Sequence, residues 1–338
     1  MKKKLLAFLL AGVMVLSLAA CGGTKEEPSP AEEPTETDQT ETQEPAGGTY
    51  VVGICQLAPH PALDAATEGF KDALTEAFGG AVEFREGNAG GEAPNCTTIV
   101  DGFVAEGVDL ILANATSPLQ AAAAATTTIP ILGTSVTDYA TALGISDWTG
   151  TVGGNISGTS DLAPLDQQAA MLNELFPDAK NVGLLYCSAE ANSIYQITVV
   201  QGYLEEMGYT CTQYAFTDVN DLPSVTQLAC DNSDVIYVPT DNTAANNTET
   251  IANVVIPAGV PVIAGEEGIC SGCGVATLSI SYYDIGYMAG QMGAQILNGE
   301  AEISEMPVQF APQVTKKYNA ANCEALNITV PDDYVVIE

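Results

Sequence analysis

Side chains that commonly carry chemistry are scarce in this sequence. It has one histidine, His60, so a histidine-built metal site or a Ser-His-Asp hydrolase would rest on that residue alone. Neither a GxxxxGK(S/T) phosphate loop nor a GxGxxG follows the first apolar run, and Gly87-Asn88-Ala89-Gly90-Gly91 is too loose to cradle a phosphate. Cys270-Ser271-Gly272-Cys273 is the one close cysteine pair. It could be a local disulfide, a redox pair or half a metal site; without a second pair or companion histidines zinc is disfavoured, and a short loop disulfide is the expectation. No metal, no cofactor and no catalytic group is therefore expected, and binding is favoured over catalysis.

One cysteine stands apart. Lys2-Lys3-Lys4, an apolar run from Leu5 to Leu18 and the segment Leu18-Ala19-Ala20-Cys21 form a secretory signal ending in a bacterial lipobox. Residues 1–20 are expected to be removed, leaving Cys21 acylated and holding the protein on the outer face of the cytoplasmic membrane without a membrane-spanning helix. Of the remaining cysteines, Cys55, Cys187, Cys211 and Cys230 fall in or beside core elements, where a thiol behaves as a small hydrophobe.

Nine Lys+Arg against 43 Asp+Glu give a formal charge of −34, which excludes nucleic acid and other polyanions as partners, because like charge repels before contact. Residues 22–48 hold eight acids and four prolines and no Val, Ile, Leu or aromatic residue. Nothing in that stretch can repay the entropy of ordering, so residues 21–48 read as a lipid-anchored, acidic, disordered tether.

From Tyr50 onward, short β-rich runs alternate with amphipathic stretches, the pattern of an α/β fold with parallel sheets. Strands are expected at Tyr50–Leu57, Ala81–Glu86, Leu110–Ala113 and Ile129–Thr134, with helices at Pro61–Phe78, Ala93–Glu106 and Pro118–Thr126. A second series follows, with helices at Pro164–Phe176, Ser193–Met207, Pro223–Cys230 and Ala244–Pro257. Its strands are Val182–Cys187, Thr210–Phe216, Val235–Val238, Val260–Ala264 and Val275–Leu278; a helix at Asp284–Leu297 and a strand near Tyr334–Ile337 complete the chain. The two series repeat one architecture: His60 corresponds to Glu190, Ala115-Thr116-Ser117 to Pro239-Thr240-Asp241, and Ile129-Pro130-Ile131 to Val260-Pro261-Val262. Ligands of open parallel sheets sit outside the carboxyl ends of the strands, so two such edges facing each other make a cleft.

These residues carry a resemblance. Gly53-Ile54-Cys55-Gln56-Leu57 with His60-Pro61-Ala62-Leu63-Asp64, and Val108-Asp109-Leu110-Ile111-Leu112-Ala113 with Ala115-Thr116-Ser117-Pro118, are similar to the tryptophan/tyrosine ABC-importer substrate-binding family. Ser135-Val136-Thr137-Asp138, Ser188-Ala189-Glu190-Ala191-Asn192-Ser193 and Tyr237-Val238-Pro239-Thr240-Asp241-Asn242-Thr243 extend it over about residues 50–330. The resemblance implies a type I periplasmic-binding-protein fold, two Rossmann-like lobes with parallel sheets joined by a three-strand hinge. The lobes are expected at 49–160 plus 283–312 and at 161–282 plus 313–338. It implies a monomer that clamps a small ligand, an aromatic or other apolar amino acid, for an ABC permease; the alternative is a lipoprotein presenting its ligand to a membrane receptor. The segment Glu266–Cys273 departs from any fixed family pattern and leaves the ligand's identity open.

A zwitterion needs donors around its carboxylate and an acid near its ammonium, since an unpaired buried charge costs several kcal/mol. Thr116, Ser117, Ser135 and Thr137 supply hydroxyls at strand ends and helix starts. Asp241 is the expected ammonium partner, followed by Glu190 and Asp138, and His60, Asn192, Ser193 and Asn242 complete the polar lining. Each of Ser117, Ser193 and Asp241 also reads as a plain helix cap.

Overall fold

The computed structural model describes residues 48–337, so the signal segment, Cys21 and nearly all of the tether lie outside the described residues. The first sheet is built from β1 (Tyr50–Gln56), β2 (Val82–Asn88), β3 (Leu110–Asn114), β4 (Ile131–Thr134) and β5 (Ile156–Ser160). Between them run α1 (Pro61–Phe78), α2 (Ala93–Glu106), α3 (Thr116–Ala125) and the short α4 (Tyr139–Leu143). The second sheet follows α5 (Leu165–Leu175), with β6 (Asn181–Cys187), β7 (Thr210–Phe216), β8 (Val235–Val238), β9 (Val262–Ala264) and β10 (Ala276–Ser279). Its helices are α6 (Ala191–Glu206), α7 (Leu222–Asn232), α8 (Asn242–Ala245), α9 (Thr248–Ala258) and α10 (Glu267–Gly272). The chain ends with α11 (Tyr282–Leu297), β11 (Gln309–Phe310), β12 (Thr315–Tyr318), α12 (Ala320–Ala325) and β13 (Val335–Val336).

Strand order is β11-β5-β4-β3-β1-β2 in one sheet and β13-β12-β10-β9-β8-β6-β7 in the other. Every pairing of named strands is parallel except β10 with β12. The chain crosses between sheets three times: after β5, after β10, and between β11 and β12.

Both faces of each sheet are covered, which is why β3 up to Ala113 and the whole of β8 are buried apolar runs rather than alternating ones. Period-2 alternation then assigns each side chain to a layer. Val52, Ile54, Leu110 and Leu112 face Phe70, Leu74 and Met292, while Cys55, Ile111 and Ala113 face Val100, Phe103 and Leu119. In the second sheet Val182, Leu184, Val235 and Tyr237 pack against Leu172 and Val200, and Leu185, Ile236 and Val238 against Val255 and Ile269. Helix α11 returns from the second sheet to lie on α1, where Gly69 and Gly286 let the two backbones touch. A Cβ on either glycine would collide with the other helix's carbonyl oxygen.

The expected Ala244–Pro257 helix is two helices, because the chain breaks at Asn246-Asn247 and restarts with Asn247 as cap. Strand β5 was not expected: Ile-Ser-Gly-Thr-Ser lacks an apolar run, yet it is fully buried, with the Thr159 hydroxyl donating to Thr134 Oγ1 at 3.0 Å and Ser157 Oγ to the Met306 carbonyl at 3.0 Å. The expected disulfide is absent. Cys270 and Cys273 lie on α10 and just beyond it, Cys273 Sγ donates to the Ile269 carbonyl at 3.3 Å, and all eight cysteines among the described residues are free thiols. Among the described residues, no helix is long and apolar enough to cross a membrane.

Candidate functional site

The carboxyl edge of the second sheet is one hydrogen-bonded network built from two loops. Glu190, the residue before α6, accepts from the Asn242 and Thr243 backbone N–H groups at 3.0 and 2.8 Å. It also accepts from the Asn242 amide at 2.8 Å, the Thr243 hydroxyl at 2.7 Å and the Asn192 amide at 3.1 Å. Asp241 caps α8 by accepting from the Ala244 N–H at 2.8 Å. Its other oxygen accepts from the Cys187 N–H at 2.7 Å and the Ser193 hydroxyl at 2.8 Å. Burial, reinforced by the neighbouring Glu190 charge, pushes the Asp241 carboxyl up to about 8, against the pull of those three donors. The sequence-predicted Glu190, Asn192, Ser193, Asp241 and Asn242 are thus brought together, with both acids already supplied with donors.

The first sheet's carboxyl edge differs in character. Ala115, after β3, has φ 105 and ψ 171, and Ser135, after β4, has φ 54. These conformations suit glycine and cost other residues on the order of 1–3 kcal/mol each, and such strain clusters at ligand clamps. The Asn114 amide donates to the Leu63 carbonyl at 2.8 Å and to Thr67 Oγ1 at 2.9 Å, but its Oδ1 has no partner. Ser135 Oγ also has none. Thr116 opens α3, Ser117 is half-buried behind it, and the buried Thr137 accepts at its carbonyl from Ser160 Oγ at 2.9 Å. Asp138 caps α4, accepting from the Thr141 N–H at 2.7 Å.

The two edges meet. His60 Nε2 lies 3.5 Å from Asn242 Oδ1, and α4 packs on α6. Burial holds the His60 imidazole below its ordinary pKa, while Asn242, Asp64 and Glu190 act the other way. A cavity of about 850 Å³ opens where the first turn of α1 faces α10, bounded by His60, Ala62, Glu266, Tyr282, Thr315 and Lys317. Among the predicted residues His60 alone lines it; Thr116, Ser135, Thr137, Asn192, Ser193 and Asp241 are buried, and Ser117, Asp138, Glu190 and Asn242 are half-buried.

Two acids at this junction escaped the sequence reading. Asp161 follows β5, is 4% exposed, and accepts from the Tyr282 hydroxyl at 3.1 Å on one oxygen while the other has no partner. Burial pushes it up to about 6, with the Thr137 and Tyr282 hydroxyls pulling it down. Glu266 caps α10 through the Gly268 and Ile269 N–H groups and is pushed up to about 7, by burial first and by Asp161 and Glu267 after it. Asp161 follows a strand too polar to be recognised in sequence; Glu266 sits in the segment that matched no pattern. Among the described residues, no His, Cys, Asp or Glu cluster could hold a metal ion.

Two α/β lobes whose polar strand edges face each other, with the chain crossing three times between them, define a type I periplasmic-binding-protein fold. Residues 51–337 match the family described as ABC transporter substrate binding protein, and the chain belongs to that family. It is 30% identical over 329 residues to the tyrosine-binding protein of Clostridioides difficile strain R20291, covering 96% of this chain and 93% of that one. Among solved structures, an ABC domain in complex with L-Trp from Streptococcus pneumonia superposes with a TM-score of 0.81 at 29% identity, covering 86% of this chain and all of the other. The ligand-free, open structure of a substrate binding protein with adhesive properties from Clostridium difficile is 32% identical and covers 86% of this chain and 99% of the other, yet superposes with a TM-score of 0.67.

Proposed function

We propose that this chain is the extracytoplasmic binding component of an ABC importer and that it clamps one amino acid with an aromatic or other apolar side chain. The observation that carries the reading is the meeting of two polar strand edges, one of them strained and bearing unpartnered acceptors, with acids and hydroxyls both at hand. The likeness to the L-Trp complex, greater than to the open, ligand-free relative of similar identity, supports a clamp in its closed form. His60, Thr116, Ser117, Ser135, Thr137, Asp138, Glu190, Asn192, Ser193, Asp241 and Asn242 form the proposed lining and its support. In this reading residues 1–20 are a cleaved signal, Cys21 carries the lipid, and 21–48 spaces the body from the outer face of the cytoplasmic membrane. The lobes divide at 49–160 plus 283–312 and 161–282 plus 313–338, a division supported by the packing of α11 on α1. The partner is a permease, and the body works as a monomer, which its one-signed charge favours.

A thermal-shift screen of the body from residue 48 onward against the twenty amino acids tests this. A ligand at 100 times its Kd adds about 2.7 kcal/mol, or roughly 5–10 °C for a body of this size. Tryptophan or tyrosine is expected to give such a shift, and no response to any amino acid refutes the proposal.

A further inference from the structure

We propose that Asp161, rather than an acid of the second sheet's loops, receives the ammonium group of the bound amino acid. The inference rests on the amino-acid reading above and assigns the group that recognises the ligand's positive end.

The carboxylates at the junction separate by what they already hold. Glu190 receives five donors, Asp241 three and Glu266 two backbone N–H groups, so each is already occupied by donors of the second sheet's loops and helix starts. Asp161 alone keeps a buried oxygen that no donor meets in good hydrogen-bond geometry, although the Thr137 hydroxyl stands beside the carboxyl. Salt bridges among the described residues use Lys71, Arg85, Lys316 and Lys317, and none reaches Asp161. A buried carboxylate without a cation is costly, and a ligand that brings one supplies what is missing.

The surroundings point the same way. Asp161 is faced by the Thr137 hydroxyl after β4, Tyr139 on α4, Tyr282 at the start of α11 and Glu266 at the head of α10. These groups are neutral or acidic, so the local potential favours a cation. Asp161 lies where the chain leaves the first sheet, and Glu266 belongs to the second sheet's edge, so their repulsion opposes approach of the lobes. An ammonium between them removes that repulsion, and binding and closure are thereby coupled. On the neighbouring strand, Ser135 is held left-handed with its hydroxyl unpartnered. Adjacent parallel strands lie about 4.8 Å apart, so a hydroxyl free to donate stands within reach of the same ligand's carboxylate.

The test measures Kd by calorimetry for L-tryptophan, L-tyrosine and indole-3-propionate, which keeps the ring and carboxylate of tryptophan but lacks its amino group. Wild type is expected to prefer tryptophan over indole-3-propionate by on the order of 30-fold or more. Asp161→Asn is expected to lose that preference by weakening tryptophan alone, with its melting temperature unchanged or raised. A surface control, Glu206→Gln at the exposed end of α6, is expected to keep the preference. Undiminished discrimination in Asp161→Asn overturns the assignment while leaving the amino-acid reading intact. Should Asp161→Asn not fold, wild-type protein binding the two compounds equally overturns it as well. Wild type that binds neither tryptophan nor tyrosine overturns the assignment together with the reading beneath it.

Discussion

Asp241→Asn provides a sharp test of how the second sheet's loops are held. An asparagine at a helix start ordinarily caps as well as an aspartate, so a simple cap role predicts no change. The structure predicts a loss. Asp241 uses both oxygens on backbone N–H groups, Oδ1 for Ala244 and Oδ2 for Cys187, with Ser193 as a third donor. An asparagine has one oxygen and one NH₂, so one of the two buried N–H groups must face a donor. If the NH₂ turns toward Cys187, the Ser193 hydroxyl can rotate and accept, but the Cys187 N–H is orphaned; turned the other way, Ala244 is. One unsatisfied buried donor costs about 1–3 kcal/mol, which lowers the melting temperature by about 2–4 °C per kcal/mol in a body of this size. At pH 5 the raised Asp241 carboxyl is protonated, and its hydroxyl oxygen can donate to Ser193 Oγ while still accepting from the Cys187 N–H, which an NH₂ cannot do; as pH rises the wild type takes on a buried charge that asparagine avoids, and the deficit narrows. Thermal melts of both proteins at pH 5 and pH 8 are the assay: a clear deficit is expected at pH 5, shrinking at pH 8. Coincident melts at pH 5 refute the reasoning.

Asp161 and Glu266 both titrate above their ordinary values when folded, at about 6 and about 7, so the folded state holds protons that the unfolded chain has released. Stability from these groups is therefore greatest below the unfolded values and is lost as pH rises, at roughly 1.4 kcal/mol per unit per group; urea midpoints of the ligand-free protein should fall between pH 5 and 7, and a rise would contradict the burial argument. Ser135→Gly removes a left-handed strain of about 1 kcal/mol, so it should raise the melting temperature while weakening amino-acid binding, measured side by side. A drop in stability would mean the hydroxyl is structural. Cys21→Ser should leave the precursor unprocessed or shed from the membrane fraction, and an unchanged acylated product, read by mass spectrometry, would refute lipidation.

What the sequence disclosed and what it hid follow from the same physics. Helix α1 is expected and found at Pro61–Phe78, because a proline start and an apolar stripe mark it unambiguously. Strand β3 shows itself as an unbroken apolar run. Strand β5 does not, since its burial is satisfied by Ser and Thr hydroxyls bonded to distant parts of the chain, which periodicity cannot register. The acids selected as ligand partners, Asp241, Glu190 and Asp138, all precede helices, and that position is equally the mark of a cap. The structure gives Asp241 and Asp138 a cap bond and ties Glu190 to the facing loop. Asp161 carries no local mark; its role depends on burial created by strand β5 and by Tyr282, more than a hundred residues further along the chain.

The packing of α11 on α1 also sets an order of assembly. As the chain is made, β1 to β5 are present early, but the face formed by Ala66, Gly69 and Phe70 of α1 stays uncovered until residues 282–297 emerge. Strand β11, which edges the first sheet, arrives later still. Strands β6 to β10 and their helices, by contrast, form an unbroken stretch whose partners lie close in sequence. Strands β6 to β10 can therefore pair while the first sheet waits, its apolar α1 face open to a chaperone or to aggregation, and neither sheet is complete until residues 309–336 add β11 to the first and β12 and β13 to the second.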